Sequence, residues 1–143
     1  EYLSKAADLG DVLIIGLNTD ASVKKIKGPS RPVNDEKARA VVLAALEFVD
    51  AIMLFEEDTP YNLIKRVQPD VLVKGKDYKA EDIVGYDIVT NKGGKVETIE
   101  LVEGFSTTKT IGLMKNEKCT MKNEELYIIH YTLNINQSSA PIL

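Results

Sequence analysis

The sequence has few of the residues from which many protein sites are built. It contains one cysteine, Cys119, one histidine, His130, and no tryptophan in 143 residues. A single cysteine cannot form an internal disulfide, and one histidine excludes a histidine-rich metal site made by this chain alone. No stretch approaches the roughly 18 uninterrupted apolar residues of a membrane-spanning helix. We therefore predict a protein of the reducing cytoplasm that makes no membrane contact.

The charge balance also lacks a positive excess. The sequence has 18 lysines and arginines against 22 acidic residues, a formal net charge of -4. We therefore predict no nucleic-acid partner, and an anionic ligand would need lysines gathered locally. Two familiar nucleotide motifs are missing as well, because no Gly-x-Gly-x-x-Gly follows a predicted strand and "NKGGKVE" lacks the spacing of a P-loop. The sequence supports neither a dinucleotide-dependent dehydrogenase nor a P-loop NTPase.

Short apolar runs alternate with helical patterns along the chain. The runs at 12–17, 50–55, 69–75 and 95–102 predict strands, and helical spacing between them is clearest over 35–50. A further helix is predicted to begin at "STT", residues 106–108. This alternation predicts an α/β fold, with a parallel sheet and helices on both of its faces.

Ligands of such sheets bind beyond the carboxyl ends of the strands. Polar residues follow all four predicted strands: "EEDTP" follows the second, and the other three segments are Asn18 to Asp20, Lys74 to Tyr78, and "EGFSTT". Glycine at positions 75 and 104 permits close approach of a ligand to the backbone, and Lys74 and Lys76 supply local positive charge. These three strand ends suit a nucleotide.

Three hydroxyl residues, Ser106, Thr107 and Thr108, stand at a predicted helix start. A helix N-terminus has unpaired N–H groups and the positive end of its dipole, so these hydroxyls would complete a phosphate-binding cradle. The alternative is an ordinary N-cap.

Basic residues surround the Pro/Gly-rich loop near residue 30. They are Lys24, Lys25, Lys27 and Arg31. They are typical either of a phosphate-binding loop or of a solvated basic loop, and Arg39 of either a ligand or a helix surface. The adjacent carboxylates at 56–58 point apart on a strand or loop, so we predict no metal site there or elsewhere in the chain.

Five segments carry a family resemblance: "NTDASVKKIKGPSRP", "VLAALEFVD", "FEEDTP", "VLVKGKDY" and "VEGFSTT". Over residues 1–112 the sequence resembles the cytidylyltransferase-like nucleotidyltransferases, and among them the heptose 1-phosphate adenylyltransferase domains of ADP-heptose synthases. The resemblance implies a Rossmann-like fold and transfer of AMP from ATP to D-glycero-β-D-manno-heptose 1-phosphate. The products would be ADP-heptose for lipopolysaccharide or another surface polysaccharide, and pyrophosphate, with Mg²⁺ required. We predict a nucleotidyltransferase domain over 1–112 and an unassigned extension over 113–143.

The resemblance also implies roles for individual residues. As catalytic residues, Lys27 would contact the phosphates at the reacting centre and Arg39 would support the loop or the phosphates. The implied nucleotide-binding residues are Asn18, Asp20, Lys74, Gly75, Asp77, Tyr78, Ser106, Thr107 and Thr108. Among them, the residues at 75, 77 and 78 would lie near the adenine and ribose, and the hydroxyls at 106–108 would hold the β- and γ-phosphates. The implied partners are the sugar 1-phosphate, further copies of the chain, and a sugar-kinase domain upstream.

One part of the family pattern is missing. The family signature His-x-Gly-His follows its first strand, whereas Glu1 aligns with the helix after that signature. The absent strand would be central, between the strands at 12–17 and 71–74. We therefore expect either that the sequence is a fragment of a longer chain or that another segment fills this position. The stretch "ELYIIHYTLNI", residues 125–135, has strand character that suits a sheet edge. Because it lacks the signature, we do not expect it to take the place of the absent strand.

Two alternatives to heptose adenylyl transfer stay open. One is a cytidylyltransferase acting on glycerol 3-phosphate or a similar alcohol phosphate, a branch that shares the hydroxyl trio. The segments "FEEDTP" and "VKGKDY" favour the heptose branch. The other alternative is a truncated, non-catalytic product, which a cooperative melt raised by ATP and Mg²⁺ would argue against.

Overall fold

The computed structural model describes residues 1–75, 79–100 and 127–131 of the chain. In chain order the elements are α1 (Tyr2–Ala7), β1 (Val12–Asn18), α2 (Asp20–Lys27), α3 (Glu36–Ala44), β2 (Ala51–Phe55), α4 (Tyr61–Val67), β3 (Val71–Gly75), a 3₁₀ turn (Ala80–Asp82), α5 (Tyr86–Asn91), β4 (Lys95–Ile99) and β5 (Tyr127–Tyr131). The predicted α/β class is confirmed. The helix predicted to begin at residue 106 lies outside the described residues. None of the described helices has the length and apolar character needed to cross a membrane.

The five strands form one sheet in the order β2-β1-β5-β3-β4. The pairs β1–β2 and β3–β4 are parallel, as the alternation of strands and helices predicts. The central strand, β5, runs antiparallel to both of its neighbours. The expectation that this stretch does not take the central position is therefore wrong. A strand edge inside a fold needs hydrogen-bond partners for its backbone N–H and C=O groups. β5 supplies these partners to the facing edges of β1 and β3.

Two apolar clusters cover the two faces of the sheet. Successive residues of β3 show the division, because Leu72 belongs to one cluster and Val73 to the other. The first cluster packs α4 and α5 on the sheet through Leu63, Ile64 and Val89. The second packs α1 through Ala6 and takes in partly buried residues of α3 and of the segment after it. Helices therefore lie on both faces, as predicted.

Helix α3 is shorter than its sequence pattern. Asp35 caps it by accepting a hydrogen bond from the N–H of Ala38 at 2.8 Å, but the helix ends at Ala44 instead of running to residue 50. Phe48 and Val49 still pack against the second cluster from non-helical backbone. The apolar periodicity continued because these residues are partly buried, not because they are helical.

Candidate functional site

A cavity of about 460 Å³ opens at the carboxyl end of β1, between α2 and α3. This volume lies within the roughly 300–1,000 Å³ of typical small-molecule sites. Most of the wall is apolar, and its polar members are two amides and two cations. The lining residues are Leu17, Asn18, Val23, Ile26, Lys27, Pro32, Asn34, Ala38, Arg39, Val42 and Leu43. The cavity therefore offers an anionic ligand positive charge and an apolar surface together.

Two helices bring the cations to this cavity. Lys27 is the last residue of α2, and Arg39 lies on α3 beyond the intervening loop. Both side chains are half-buried, and Asn18 reaches the same cavity from the last position of β1. The structure thus brings together three of the residues predicted from the sequence.

Arg39 is held in place by hydrogen bonds to two neighbouring residues, one of which is itself anchored by a third. Its Nη2 donates to Asp20 Oδ1 at 2.7 Å, and its Nε donates to the carbonyl of Asn34 at 3.2 Å. The backbone N–H of Asp20 in turn donates to Glu36 Oε2 at 2.8 Å. The paired side chains are only 17% and 27% exposed, so water screens them less than a surface pair. This arrangement fixes the plane of the guanidinium beside the cavity.

The Asp20 carboxyl has a lowered pKa. Burial by itself raises the pKa of Asp20, but hydrogen bonds from Arg39 and from the backbone of Glu36, with the positive charge of Arg39, outweigh it. A group whose pKa is lower in the folded state stabilises the fold above its unfolded pKa, near 4, and this contribution is lost as pH falls through the folded pKa.

Replacing Asp20 by asparagine is therefore expected to lower the free energy of unfolding by about 1 kcal/mol near neutral pH. The difference between the two proteins should shrink towards zero as the pH falls through the lowered pKa of wild-type Asp20, because that carboxyl is then protonated as well. Urea unfolding from pH 7 to pH 2.5 measures this difference. As a matched control, Asp58→Asn removes an exposed pair with Lys25 and should cost less than Asp20→Asn near neutral pH. A pH-independent cost of Asp20→Asn would contradict the assignment.

A buried polar network fixes the end of β1. The Asn18 Nδ2 donates to Ser22 Oγ at 2.9 Å, and that hydroxyl donates to the carbonyl of Glu57 at 3.1 Å. Asn18 is 6% exposed and Ser22 is 1% exposed. Ser22 thereby ties the start of α2 to the segment after β2, a role that sequence reasoning missed. The sequence spacing could have indicated this contact. Ser22 comes four residues after Asn18, which ends the strand, and a serine in the first turn of the next helix can reach that side chain.

Other predicted residues lie elsewhere. Lys74 and Gly75 end β3, which is separated from β1 by β5, and they are not among the residues lining the cavity. Lys74 is buried, with 6% of its surface exposed. Arg31 is 8% exposed, so at this position the reading of a solvated basic loop is wrong. The predicted site residues Asp77, Tyr78, Ser106, Thr107 and Thr108 lie outside the described residues.

The only histidine of the sequence, His130, lies on β5 at the end of the sheet away from the cavity. His130 is the register partner of Leu13 on β1, five positions before Asn18. At about 3.3 Å per residue, its backbone lies roughly 16 Å along the sheet from the end of β1. The positive charges of the described cavity are therefore those of Lys27 and Arg39.

Comparison with known proteins identifies the family of this chain. Residues 1–123 match the family model described as cytidylyltransferase-like. The chain belongs to the cytidylyltransferase-like family. It is also 58% identical over 118 residues to the bifunctional protein HldE of Campylobacter jejuni subsp. doylei, covering 82% of this chain and 25% of that protein. The HldE proteins of Nitrobacter hamburgensis and Syntrophotalea carbinolica are 58% and 54% identical over 111 residues, covering 78% of this chain and 23% of each protein. The chain spans about a quarter of the length of these curated relatives.

Gly28 shapes the turn that follows Lys27 in this cytidylyltransferase-like domain. Its φ of 93° and ψ of 170° lie in a region that only glycine adopts readily. Gly28→Ala is expected to lower the free energy of unfolding by about 1–3 kcal/mol and also to weaken binding of an anionic ligand in the cavity, for which ATP serves as the probe, because the turn must shift beside Lys27. Thermal unfolding and calorimetric titration with ATP measure the two effects.

Gly93 provides the matched control. It also has a positive φ, 83°, with no atom within 4 Å of an added Cβ, but it follows α5, away from the cavity. Gly93→Ala should lower stability and leave ATP affinity unchanged. Equal losses of affinity in the two variants would show that the Gly28 effect is not local to the site.

Proposed function

We propose that this chain transfers AMP from ATP to D-glycero-β-D-manno-heptose 1-phosphate, forming ADP-heptose and pyrophosphate. The observation that carries the proposal is the convergence of Lys27 and Arg39 on one ligand-sized cavity, in a family member whose relatives are named HldE. The phosphates of both substrates are anionic, whereas the chain has a net charge of -4. Local cations at a strand end are therefore the feature that the reaction needs.

In the proposed reaction, a phosphate oxygen of the sugar attacks the α-phosphorus of ATP. The bond from that phosphorus to the oxygen leading to the β-phosphate breaks, and pyrophosphate leaves with the electron pair. Lys27 and Arg39 stabilise the charge that develops on the phosphoryl oxygens and hold the two reactants in line. Since Arg39 is already oriented by Asp20 and Asn34, little reorganisation is needed when the phosphates bind.

The other predicted residues have subordinate roles in this proposal. Asp20 holds Arg39 and thereby acts as a positioning residue. Asn18 lines the wall at the end of β1, where its amide is itself fixed by Ser22. The residues proposed to surround the adenine, ribose and outer phosphates are Lys74, Gly75, Asp77, Tyr78, Ser106, Thr107 and Thr108.

Mg²⁺ is proposed to arrive with the nucleotide. Within residues 1–75 and 79–100, no cluster of three or more His, Cys, Asp or Glu side chains is placed to hold a metal ion. The carboxylate of Asp20 is already paired with Arg39. These residues do not fit a protein-built Mg²⁺ site, and Mg²⁺ in nucleotide sites is commonly held by substrate phosphates and water. No step of the reaction is assigned to it here.

The proposed setting follows from the substrates. ATP and a sugar phosphate are metabolites of the cytoplasm, and we propose that a sugar-kinase domain upstream in the same polypeptide supplies the sugar 1-phosphate. The product would feed synthesis of lipopolysaccharide or another surface polysaccharide. A homo-oligomer is part of the proposal, and α3 offers apolar surface for one outside the cavity lining, because Val41 is 69% exposed.

Pyrophosphate release tests the function. The chain is incubated with Mg²⁺, ATP or CTP, and either the heptose 1-phosphate or glycerol 3-phosphate. We expect release that requires both ATP and the heptose 1-phosphate, with CTP at least about tenfold slower. A preference for CTP and glycerol 3-phosphate would replace the proposal with cytidylyl transfer. Stabilisation by ATP without any release would instead identify a non-catalytic nucleotide-binding chain.

A further inference from the structure

Asn18 carries a buried polar side chain that lines the cavity. It ends β1, is 6% exposed, and forms part of the cavity wall. Its Nδ2 donates to Ser22 Oγ at 2.9 Å. Of the groups that residues 1–75 and 79–100 offer, none donates a hydrogen bond to its Oδ1. Because a buried acceptor without a partner is costly, this oxygen needs a donor from a ligand.

Ser22 fixes the orientation of the Asn18 amide. The hydroxyl of Ser22 has a single hydrogen, which it donates to the carbonyl of Glu57 at 3.1 Å. Because that carbonyl can only accept, the oxygen of Ser22 is left to accept from Asn18. Exchanging the two ends of the amide would bring two oxygens together with no hydrogen between them. This chain of two hydrogen bonds therefore determines which end of the amide is the oxygen.

The two ends of the Asn18 amide have different surroundings. Ser22 is not among the residues that line the cavity, so the NH₂ group is used inside the fold, and Oδ1 is the acceptor left for the cavity. The side chains of Lys27 and Arg39, which line the same cavity, carry donors only. Ionised phosphate oxygens are acceptors, so they suit the two cations but cannot pair with Oδ1. A ligand that satisfies the cavity must therefore bring a donor as well as a phosphate.

The size and the apolar wall of the cavity favour a ligand with a carbon skeleton. The volume is about 460 Å³, and the lining includes Leu17, Val23 and Val42. An inorganic anion would leave this apolar surface uncovered, whereas the carbon atoms of an organic phosphate would bury it. The group that pairs with Oδ1 is then a hydroxyl or an N–H group on that skeleton.

We propose that Asn18 is a specificity-determining residue, which selects phosphate esters whose carbon skeleton presents a hydroxyl or an N–H group to its Oδ1. This inference rests on the proposed function for the identity of its two ligands, ATP and the heptose 1-phosphate, both of which carry hydroxyl groups. A ligand without the donor would leave Oδ1 unpaired in the complex, which is the physical basis of strong discrimination between substrates.

Calorimetric titration of the full chain and of its Asn18→Leu variant tests the proposal. Leucine resembles asparagine in shape but offers no acceptor. We expect affinity for ATP, for the heptose 1-phosphate or for both to fall about 5- to 100-fold. Affinity for inorganic tripolyphosphate, which has no carbon-bound donor, should change less than about twofold.

The pattern of losses identifies the source of the donor. A loss confined to ATP assigns the donor to the nucleoside, and a loss confined to the heptose 1-phosphate assigns it to the sugar. An equal loss for tripolyphosphate, or no loss for either organic phosphate, would overturn the proposal.

Ser22→Ala covers the case in which Asn18→Leu does not fold. It removes the hydroxyl that fixes the amide, so Asn18 can turn its NH₂ group to the cavity. We expect the preference for the organic phosphates over tripolyphosphate to fall at least about fivefold. Thr90→Val is the matched control, because it removes a hydroxyl that donates to the carbonyl of Tyr86 at 2.7 Å, on a helix that does not line the cavity. An unchanged preference in Ser22→Ala, or an equal fall in both variants, would contradict the fixed acceptor.

These binding measurements separate the inference from the proposed function, since neither requires turnover. A chain that shows the expected loss in Asn18→Leu but releases no pyrophosphate would keep the inference and reject AMP transfer. A chain that releases pyrophosphate, while Asn18→Leu binds both organic phosphates as tightly as the unmodified chain, would keep AMP transfer and reject the inference.

Discussion

Lys27→Gln is expected to lower kcat for pyrophosphate release about 100- to 1,000-fold. The substitution keeps a side chain of similar length but removes a positive charge from the cavity at the point where we place the α-phosphoryl group. The loss should fall mainly on kcat, since charge stabilisation matters most where charge develops in the transition state. Steady-state kinetics with ATP and the heptose 1-phosphate measure it.

Lys24→Gln is the matched control for this substitution. Lys24 lies on the same helix, one turn earlier, and is exposed. It is not among the residues that line the cavity, so removing its charge should change kcat less than about threefold, because water screens an exposed charge. Equal losses in Lys27→Gln and Lys24→Gln would mean that general positive charge, not the cavity position of Lys27, supports the reaction.

Arg39→Gln is expected to affect both activity and stability. It removes the second cavity cation, with an expected loss of about 100-fold in kcat/KM. It also leaves the partly buried carboxylate of Asp20 without its ion-pair partner, which should cost about 1–3 kcal/mol of unfolding free energy. Arg39→Lys should recover part of the charge effect but not the fixed orientation, because an ammonium cannot reproduce the guanidinium fork.

A double-mutant cycle separates the two contributions of Arg39. If Asp20 acts by holding Arg39, the stability loss of Asp20→Asn with Arg39→Gln should be clearly smaller than the sum of the single losses. Asp20→Asn alone should lower activity less than Arg39→Gln, since it loosens the guanidinium without removing it. Additive effects on both stability and activity would show that the two residues act independently.

The parallel part of the fold could be predicted because local sequence determines it. Short apolar runs such as Val12–Asn18 are too short for typical helices and are buried on both faces, which is the pattern of parallel strands. The end of α3 could not be predicted in the same way. Phe48 and Val49 continue the helical spacing of apolar residues but pack on the sheet from irregular backbone. The spacing of apolar residues reports that they are buried and does not by itself show that they are helical.

The position of β5 depends on long-range pairing. Residues 127–131 have strand character, but composition does not distinguish an edge from a centre when the connection is 26 residues long. The vacancy between β1 and β3 was predicted from the family pattern, whereas its occupant was not. No local motif encodes the antiparallel direction in which β5 pairs with β1 and β3.

The site was partly accessible from sequence. Lys27, Arg39 and Asn18 were predicted, and the structure places them around one cavity. The ion pair between Asp20 and Arg39 joins residues 19 positions apart, on two helices whose packing angle no local pattern provides. The burial of Ser22 and Arg31 likewise depends on tertiary packing.

Amide hydrogen exchange, with and without ATP and Mg²⁺, tests the central claim that this cavity is the nucleotide site. We expect slower exchange in peptides covering residues 18–28 and 34–43, which contain the lining of the cavity. Peptides covering α4, Tyr61–Val67, should not change, because that helix packs on the opposite face of the sheet from α3. Protection confined to other segments, with 18–28 and 34–43 unchanged, would contradict the account.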